Sequence, residues 1–504
     1  MTTSLTVSAP LRRRTRLPLA VPVSIAVLVL VRALEVRAGA SPDEGGFLVV
    51  AGQWHAGGSS LYGDYWVDRP PLLLAFYRLA DLTGGLTSLR VIGAIAAAIT
   101  VLLLASAALR VFGRRAATWT AVVAAALLVS PLFGSVDVNG ELLAVPLVAL
   151  GIRAAVEAVL SDDRLLARGS ALVAGVAAVA ALLVKQNVAD VLVFTAVCWL
   201  VAWRQQRVST RDLRDLVALA AFGAVLAYAV VMLSAMAHGT SPLEVYQATY
   251  PFRVEAARVL AQSTSNAADV RLHRLGIAFL LSAAPLVLAL FAVFGLRRSR
   301  APYVAWALAA TAGWATVSVL AGGSYWFHYL VESIPVVALA AGAVSLAAPR
   351  LLRPVVAAVV VSALVAAGYV FAHPTATPGS TVGRAIAGVA RPGDTLFSAF
   401  GDPDILRSTG MTSPYPYLWS LPARTLDPDE TTLHEVLTGP DAPTWIVVRN
   451  RRTAAKLAEH GSLRIIENRY REVGGVCGRI VYLRRGVERP TLVEHGSCGG
   501  TVLP

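Results

Sequence analysis

The sequence predicts a polytopic α-helical membrane protein with about eleven transmembrane helices, followed by a C-terminal extracytoplasmic domain of α/β or α+β type. Of the 504 residues, 56% are hydrophobic and only 15% are charged, and the mean hydropathy is +0.63. Apolar runs near the length of a bilayer span recur as far as residue 372. From residue 373 onward, Pro, Gly, charged residues and short β-rich runs replace them. This composition excludes an ordinary soluble globular protein.

The formal charge of +13 reflects Arg residues, many of which flank the apolar runs. In a soluble protein this charge suggests nucleic acid, but in a membrane protein Arg-rich loops mark the cytoplasmic side. Residues 12–16 are basic and precede the first apolar run, which has no small-residue cleavage site after it. This favours a start-transfer helix over a removed signal peptide. We therefore expect a multi-pass plasma-membrane protein with a cytoplasmic N-terminus, whose partner is the bilayer and not nucleic acid.

Eleven apolar runs are expected to alternate across the membrane, because Arg-rich loops fall on one side of the alternation. The predicted spans are residues 17–31, 86–112, 116–133, 141–160, 171–184, 188–203, 216–236, 275–296, 303–320, 329–347 and 355–371. The predicted domains are a basic N-terminus (1–16), a transmembrane domain (17–372) and an extracytoplasmic domain (373–504) of ordinary size. In the last of these, Cys477 and Cys498 could pair on an oxidising face, and the sequence leaves that pairing open.

The longest polar interruption, residues 39–85, is predicted to be an outer loop with catalytic groups. Its Ser41-Pro42-Asp43-Glu44 matches a capping box, in which Glu44 caps a helix and Asp43 complements the helix dipole. Capping does not require both acids. Two roles therefore stay open for the pair, helix cap and catalytic base.

The same loop ends in Asp68-Arg69-Pro70-Pro71. Asp68 can cap a helix that begins at the prolines, and the prolines then fix the direction of Arg69. Because a guanidinium holds phosphate oxygens bidentately, Arg69 is a candidate phosphate ligand. We expect Asp68 and Tyr65 to line a substrate cavity.

The next outer loop is short and contains Asp137 and Glu141, the second of which opens the following span. An acid in the first turn of a helix often serves only to complement the dipole, and Asp137 can be a solvated turn residue. The alternative is that Glu141 is a second catalytic acid and that Asp137 lines the cavity.

Lys185-Gln186-Asn187 breaks two apolar runs. A span of residues 171–184 would rise only about 21 Å, short of a hydrocarbon core of roughly 30 Å. Lys185 is therefore expected at membrane depth, where a cation marks a functional site unless its side chain snorkels to the surface. An anionic lipid headgroup is the natural partner of such a cation.

Tyr325-Trp326-Phe327-His328-Tyr329 precedes a late span. An interfacial aromatic belt explains most of this motif, but His328 could also contact a sugar or a phosphate, and we expect Tyr329 in the cavity. The sequence contains no glycine-rich nucleotide loop, nucleophile elbow or close Cys/His cluster, so no metal site is expected, although a divalent metal requirement stays open.

In their order along one predicted face, these motifs resemble the GT-C membrane glycosyltransferases. The Asp-Glu pair, the Arg-Pro-Pro-Leu, the acid of the second loop, the Lys-Gln break and the Phe-His-Tyr are most similar to those of protein O-mannosyltransferases and the lipid A aminoarabinose transferase family. The likeness covers residues 17–347 and, by layout only, the tail. It implies a hexosyl- or pentosyltransferase that moves a sugar from a polyprenyl-phosphate-linked donor to an envelope acceptor, which is a protein, a glycan or a lipid.

The resemblance also implies residue roles. Asp43 would be the base, supported by Glu44, with Glu141 as the acid of the second loop. Arg69 and Lys185 would neutralise the leaving phosphate. Gln186 and His328 are assigned to the same phosphate-binding group. Some relatives have Lys or His in place of Arg before the prolines and Asp in place of Glu141, so the second acid and the donor sugar stay open.

A transporter or lipid flippase of the cell envelope is the alternative. Such a protein would also use an intramembrane Lys and a polar cavity, but the sequence lacks the paired halves and repeated broken helices typical of transporters.

Overall fold

A computed structural model describes residues 16–36, 39–262, 266–373, 377–493 and 498. Most of the predicted basic N-terminus lies outside these ranges. The helices up to residue 261 are α1 (Ala20–Glu35), α2 (Pro42–Gly52), α3 (Pro71–Thr83), α4 (Leu86–Phe112), α5 (Arg114–Leu128), α6 (Gly140–Leu160), α7 (Arg164–Val184), α8 (Asp190–Arg204), α9 (Thr210–Ala237), α10 (Pro242–Thr249) and α11 (Pro251–Ala261). The later membrane-side helices are α12 (Ala267–Leu281), α13 (Ala284–Leu290), α14 (Pro302–Ala321), α15 (Ile334–Ala347) and α16 (Pro349–Ala372).

Seven segments of the described chain are long and apolar enough to cross a membrane, and an eighth is the pair α12–α13, which is bent by 63°. The seven are α4, α6, α7, α9, α14, α16 and the segment Phe327–Ala347, which joins a 3-10 turn to α15. The other predicted spans fall on α1, α5 and α8, which have 16, 15 and 15 residues. The protein is therefore a polytopic helical membrane protein.

The fifth predicted span differs from the structure. Helix α7 has 21 residues and begins at Arg164, where the side chain of Asp163 accepts hydrogen bonds from the first turn. The prediction placed the start at residue 171 because it treated Arg164 and Arg168 as loop residues. An Arg stem packs along apolar surface while its guanidinium reaches water, so basic residues can continue a helix at the membrane boundary. Lys185 therefore follows a span of full length, and the short-span argument for its depth was wrong.

Small residues allow α7 and α9 to cross closely. A Cβ atom added to Gly175 would lie 1.8 Å from the carbonyl oxygen of Ala220, and one added to Gly223 would lie 2.3 Å from that of Leu172. Such close backbone approach is typical of helix packing in membranes. It fixes the direction of α7, which ends at Lys185.

The tail forms a mixed four-stranded sheet covered by short helices. Its strands are β1 (Leu396–Ala399), β2 (Trp445–Val448), β3 (Tyr470–Val476) and β4 (Arg479–Arg484). Its helices are α17 (Pro378–Ala387), α18 (Asp404–Thr409), α19 (Ser420–Leu426), α20 (Thr431–Thr438), α21 (Arg451–Glu459) and α22 (Ser462–Arg469). The strand order is β1-β2-β4-β3, in which only β1 and β2 are parallel. The two predicted β-rich runs correspond to β2 and β4, and a disulfide joins Cys477 to Cys498.

Two glycines allow the tail to pack directly on α2. A Cβ atom added to Gly45 would lie 2.6 Å from the Cα of Asp404, and one added to Gly46 would lie 2.4 Å from the ring of Trp419. Asp404 is buried in this junction. Burial, together with the charge of Asp402, raises the pKa of the Asp404 carboxyl to about 7. The tail therefore touches the helix that carries Asp43 and Glu44.

Candidate active site

Asp43 lies in the first turn of α2 but does not cap it. Ser41 accepts a hydrogen bond from the Glu44 amide at 3.3 Å, and Glu44 accepts one from the Ser41 amide at 3.1 Å. The predicted capping box is thus formed by Ser41 and Glu44 alone. The half-buried Asp43 accepts a hydrogen bond of 3.0 Å from the indole of Trp419 and has no ion pair within the described ranges. This hydrogen bond links the first turn of α2 to the tail.

Glu44 is fully buried and joins α2 to α4 and the second outer loop. Its carboxylate lies 2.7 Å from Arg90 Nη2 and accepts a hydrogen bond of 2.9 Å from the amide of Val138. Burial, followed by the charge of Asp137, raises the pKa of Glu44 to about 7, while Arg90 opposes the shift. The same guanidinium lies 3.7 Å from Asp137, whose side chain is 48% exposed. Glu44 therefore holds the start of α2 against α4 and the segment before α6.

Asp68 is an ion-pair partner and not a helix cap. The N-cap of α3 is Pro70, without a side-chain hydrogen bond, so the predicted capping role of Asp68 is wrong. Its two carboxylate oxygens instead contact Arg69 Nη1 at 2.7 Å and Arg253 Nη2 at 2.6 Å. The Arg69 guanidinium also lies 5.5 Å from the ring centroid of Phe47. Asp68 thus brings two guanidinium groups from distant segments together.

Lys185 and Glu141 form a buried ion pair, with 3.0 Å between Nζ and Oε1. Their side chains are only 7% and 1% exposed. The Lys185 ammonium lies 5.4 Å from the ring centroid of Tyr329, and His328 Nε2 lies 4.0 Å from the second oxygen of Glu141. The predicted fourth-span acid, the Lys break and the aromatic motif therefore meet at one place.

A cavity of about 1000 Å³ opens beside this ion pair. Its wall includes Lys185, Gln186, Tyr329 and, from α11, Arg253. Gln186 also donates a 3.3 Å hydrogen bond to the backbone oxygen of Asp68, which fastens the break after α7 to the first outer loop. Cationic, amide and aromatic groups thus face a space that holds more than one sugar-sized group.

The predicted site residues do not all meet at the cavity. Arg69 interacts electrostatically with Asp43 and Glu141, and His328 does so with Glu141, Lys185 and Asp43. Three predicted cavity residues are not part of the cavity wall: Tyr65, Asp68 and Asp137. Tyr65 is 2% exposed and its hydroxyl accepts a hydrogen bond from the Ser413 amide of the tail. The prediction was wrong for Tyr65 because an aromatic side chain in this segment can either line the cavity or pack against the tail, and the local sequence does not distinguish the two.

Sequence reasoning missed Arg90, Arg253 and Trp419. An Arg near the outer end of an apolar run is a detectable signal, and Arg90 is such a residue. Nothing in the local sequence distinguishes Arg253 or Trp419, because their partners Asp68 and Asp43 are far away in the chain.

Of three comparisons with known proteins, only the comparison with solved structures finds matches. No family model and no curated protein matches the chain. Among solved structures, ArnT from Cupriavidus metallidurans bound to undecaprenyl phosphate matches with a TM-score of 0.62 at 17% identity, over 92% of this chain and 97% of that one. The oligosaccharyltransferase of Archaeoglobus fulgidus in complex with Zn and sulfate matches with a TM-score of 0.56 at 14% identity, over 92% and 73%.

The same archaeal enzyme, AglB, in complex with an inhibitory peptide and a dolichol-phosphate, matches with a TM-score of 0.54 at 11% identity, over 92% of this chain and 74% of that one. Within the described residues, no group of three or more His, Cys, Asp or Glu side chains is arranged to hold a metal ion such as that Zn. At these identities the likeness concerns architecture. The chain has the GT-C fold of membrane glycosyltransferases.

Proposed function

We propose that the protein is a membrane glycosyltransferase that moves a sugar from a polyprenyl-phosphate-linked donor to an acceptor of the cell envelope. The observation that carries this proposal is the polar cavity, in whose wall Lys185 and Arg253 lie. Asp68 joins Arg253 to Arg69, and Asp43 interacts electrostatically with Arg69. Structures of the same fold that hold undecaprenyl phosphate or dolichol-phosphate support it.

The cations act on the leaving group. When the bond between the sugar carbon and the phosphate oxygen breaks, negative charge develops on the phosphate. Arg69, Arg253 and Lys185 stabilise that charge, and their effect is large because the cavity is poorly hydrated. Gln186 and His328 orient the phosphate by hydrogen bonds. Tyr329, over which the Lys185 ammonium lies, holds the lysine toward the cavity.

Asp43 acts on the acceptor. The acceptor hydroxyl oxygen attacks the sugar carbon while Asp43 accepts its proton, and polyprenyl phosphate leaves. Among the acids predicted for the site, Glu44, Asp68, Asp137 and Glu141 each lie within 4 Å of a cation, so each already takes part in an ion pair. Asp43 has no such neighbour in the described ranges. A single displacement of this kind inverts the configuration at the sugar carbon.

The proposed topology has eleven crossings, with α1, α5 and α8 added to the eight candidates above. Residues 1–16 then lie in the cytoplasm, and residues 373–504 form an extracytoplasmic domain. The disulfide between Cys477 and Cys498 supports an oxidising environment for the tail. When a reporter enzyme is fused after Phe371, its activity should appear outside the cytoplasm. Cytoplasmic activity of the fusion would reject this topology.

The catalytic assignment is tested with Asp43→Asn. This variant should lose sugar transfer from a panel of polyprenyl-phosphate sugars by at least about 100-fold, because the amide cannot accept the proton. Its binding of undecaprenyl phosphate should change by less than about threefold. The matched control is Asp64→Asn, which alters an acid of the same outer segment whose side chain is 55% exposed. Full transfer activity in Asp43→Asn would reject Asp43 as the base.

A further inference from the structure

Two buried carboxyl groups behind the cavity wall have no part in the proposed chemistry. Asp190 lies in the first turn of α8, and Glu332 lies in the 3-10 turn Phe327–Ser333. They are 0% and 1% exposed, and their carboxyl groups face each other. No Lys or Arg of the described ranges forms an ion pair with either. Two adjacent buried carboxyl groups without a cation are costly to a fold, so their place beside the cavity calls for a role.

Glu332 connects two walls of the cavity. Its Oε2 accepts hydrogen bonds from Asn187 Nδ2 at 2.9 Å and from Ser318 Oγ at 2.8 Å. Asn187 belongs to the break between α7 and α8, Ser318 belongs to α14, and both line the cavity. The indole of Trp314, also on α14, donates a hydrogen bond of 3.3 Å to the backbone oxygen of Asn187.

The segments joined by Glu332 also carry the proposed phosphate-binding groups. Lys185 precedes Asn187 by two residues, and Tyr329 precedes Glu332 by three within the same 3-10 turn. The contact between Glu332 and Asn187 therefore joins the segment of Lys185 to that of Tyr329, whose ring centroid lies 5.4 Å from the Lys185 ammonium. An error of about 1 Å in such a contact is enough to weaken charge-assisted binding substantially.

We propose that Glu332, through its hydrogen bonds with Asn187 and Ser318, is a positioning residue that fixes the Lys185 ammonium against the cavity for an anionic lipid headgroup. This inference rests on the proposed function, since it concerns the same phosphate. The hydrogen bonds that Glu332 Oε2 accepts from Asn187 and Ser318 hold the break after α7 against α14. Neither acid touches the substrate.

The test measures the affinity of the purified full-length protein in nanodiscs for undecaprenyl phosphate and for undecaprenol, its uncharged counterpart. Glu332→Ala and Asn187→Ala should each lower the preference for the phosphate about tenfold and leave undecaprenol binding unchanged. Their combination should be no worse than either variant alone, because both remove one contact. Glu332→Gln and Asp190→Asn should stay within about threefold of wild type, because an amide keeps an oxygen acceptor and also donates hydrogen bonds. Ser333→Ala, next to Glu332 but outside the pair, is the matched control.

The outcomes separate the two proposals. A wild-type protein without preference for the phosphate over the alcohol overturns the proposed function. A wild-type preference that persists in Glu332→Ala overturns the positioning role alone. If Glu332→Ala does not fold, the preference for the phosphate is measured in Asn187→Ala, and a preference that persists there overturns the positioning role. Parallel losses for phosphate and alcohol indicate general loosening of the fold and reject the positioning role. A tenfold loss in Glu332→Gln, which keeps the oxygen acceptor, rejects positioning through those hydrogen bonds.

Discussion

The buried pair of Lys185 and Glu141 yields a prediction that separates phosphate binding from structural support. Both side chains are at most 7% exposed and their charged atoms lie 3.0 Å apart. Lys185→Met leaves Glu141 as an uncompensated buried charge, which should lower the free energy of unfolding by about 3–5 kcal/mol. The double variant Lys185→Met/Glu141→Gln has no such charge and should recover most of that loss.

In the double variant, the affinity for undecaprenyl phosphate should not recover, although the free energy of unfolding does. If Lys185 contacts the donor phosphate, the lost charge-assisted hydrogen bond is worth about 1.5–3 kcal/mol, or about a 10- to 150-fold loss in affinity. Both the single and the double variant should show this loss for undecaprenyl phosphate in nanodiscs, while thermal unfolding reports the recovery of the double variant. Lys185→Arg, which keeps the positive charge, is the control. A double variant that binds undecaprenyl phosphate as wild type does would show that Lys185 serves only the ion pair.

Three further outcomes are expected. Arg253→Gln should weaken undecaprenyl phosphate binding about tenfold in the same assay, since it removes a cation from the cavity wall; unchanged affinity would remove Arg253 from the site. Because the folded-state pKa of Asp404 is raised, the folded protein keeps a proton that the unfolded chain releases, so stability should fall as pH rises from about 4 to 7. Asp404→Asn should flatten that fall in thermal unfolding, and an unchanged slope would contradict the assignment. Gly46→Val should displace Trp419 and lower both stability and transfer, whereas Gly313→Ala, where a Cβ meets nothing within 4 Å, should lower neither.

Local sequence patterns predicted the elements whose formation depends on neighbouring residues. The start of α2 follows from Ser41, Pro42 and Glu44, because a capping box involves only four consecutive residues. Strands β2 and β4 follow from short runs of β-branched and aromatic residues. The start of α7 was not predicted correctly. The basic residues of its first turn are typical of a loop unless the cap at Asp163 is recognised.

Non-local pairing explains the remaining failures. The sequence suggested equivalent roles for several acids of the outer loops, but their partners lie on other elements: Arg90 for Glu44 and Arg253 for Asp68. Tyr65 was assigned to a cavity but packs against the tail, since no local rule indicates which surface an aromatic ring covers.

The amino-acid sequence alone determined that this chain is a helical membrane protein with acids and cations concentrated in a few polar breaks, because burying apolar runs of bilayer length depends only on composition and length. Only the tertiary structure decided which of those acids lacks a cation. Within the described ranges, Asp43 is the predicted site acid without a cation within 4 Å. That distinction depends on ion pairs between residues far apart in the chain, whose strength is set by distance and burial and not by sequence neighbours.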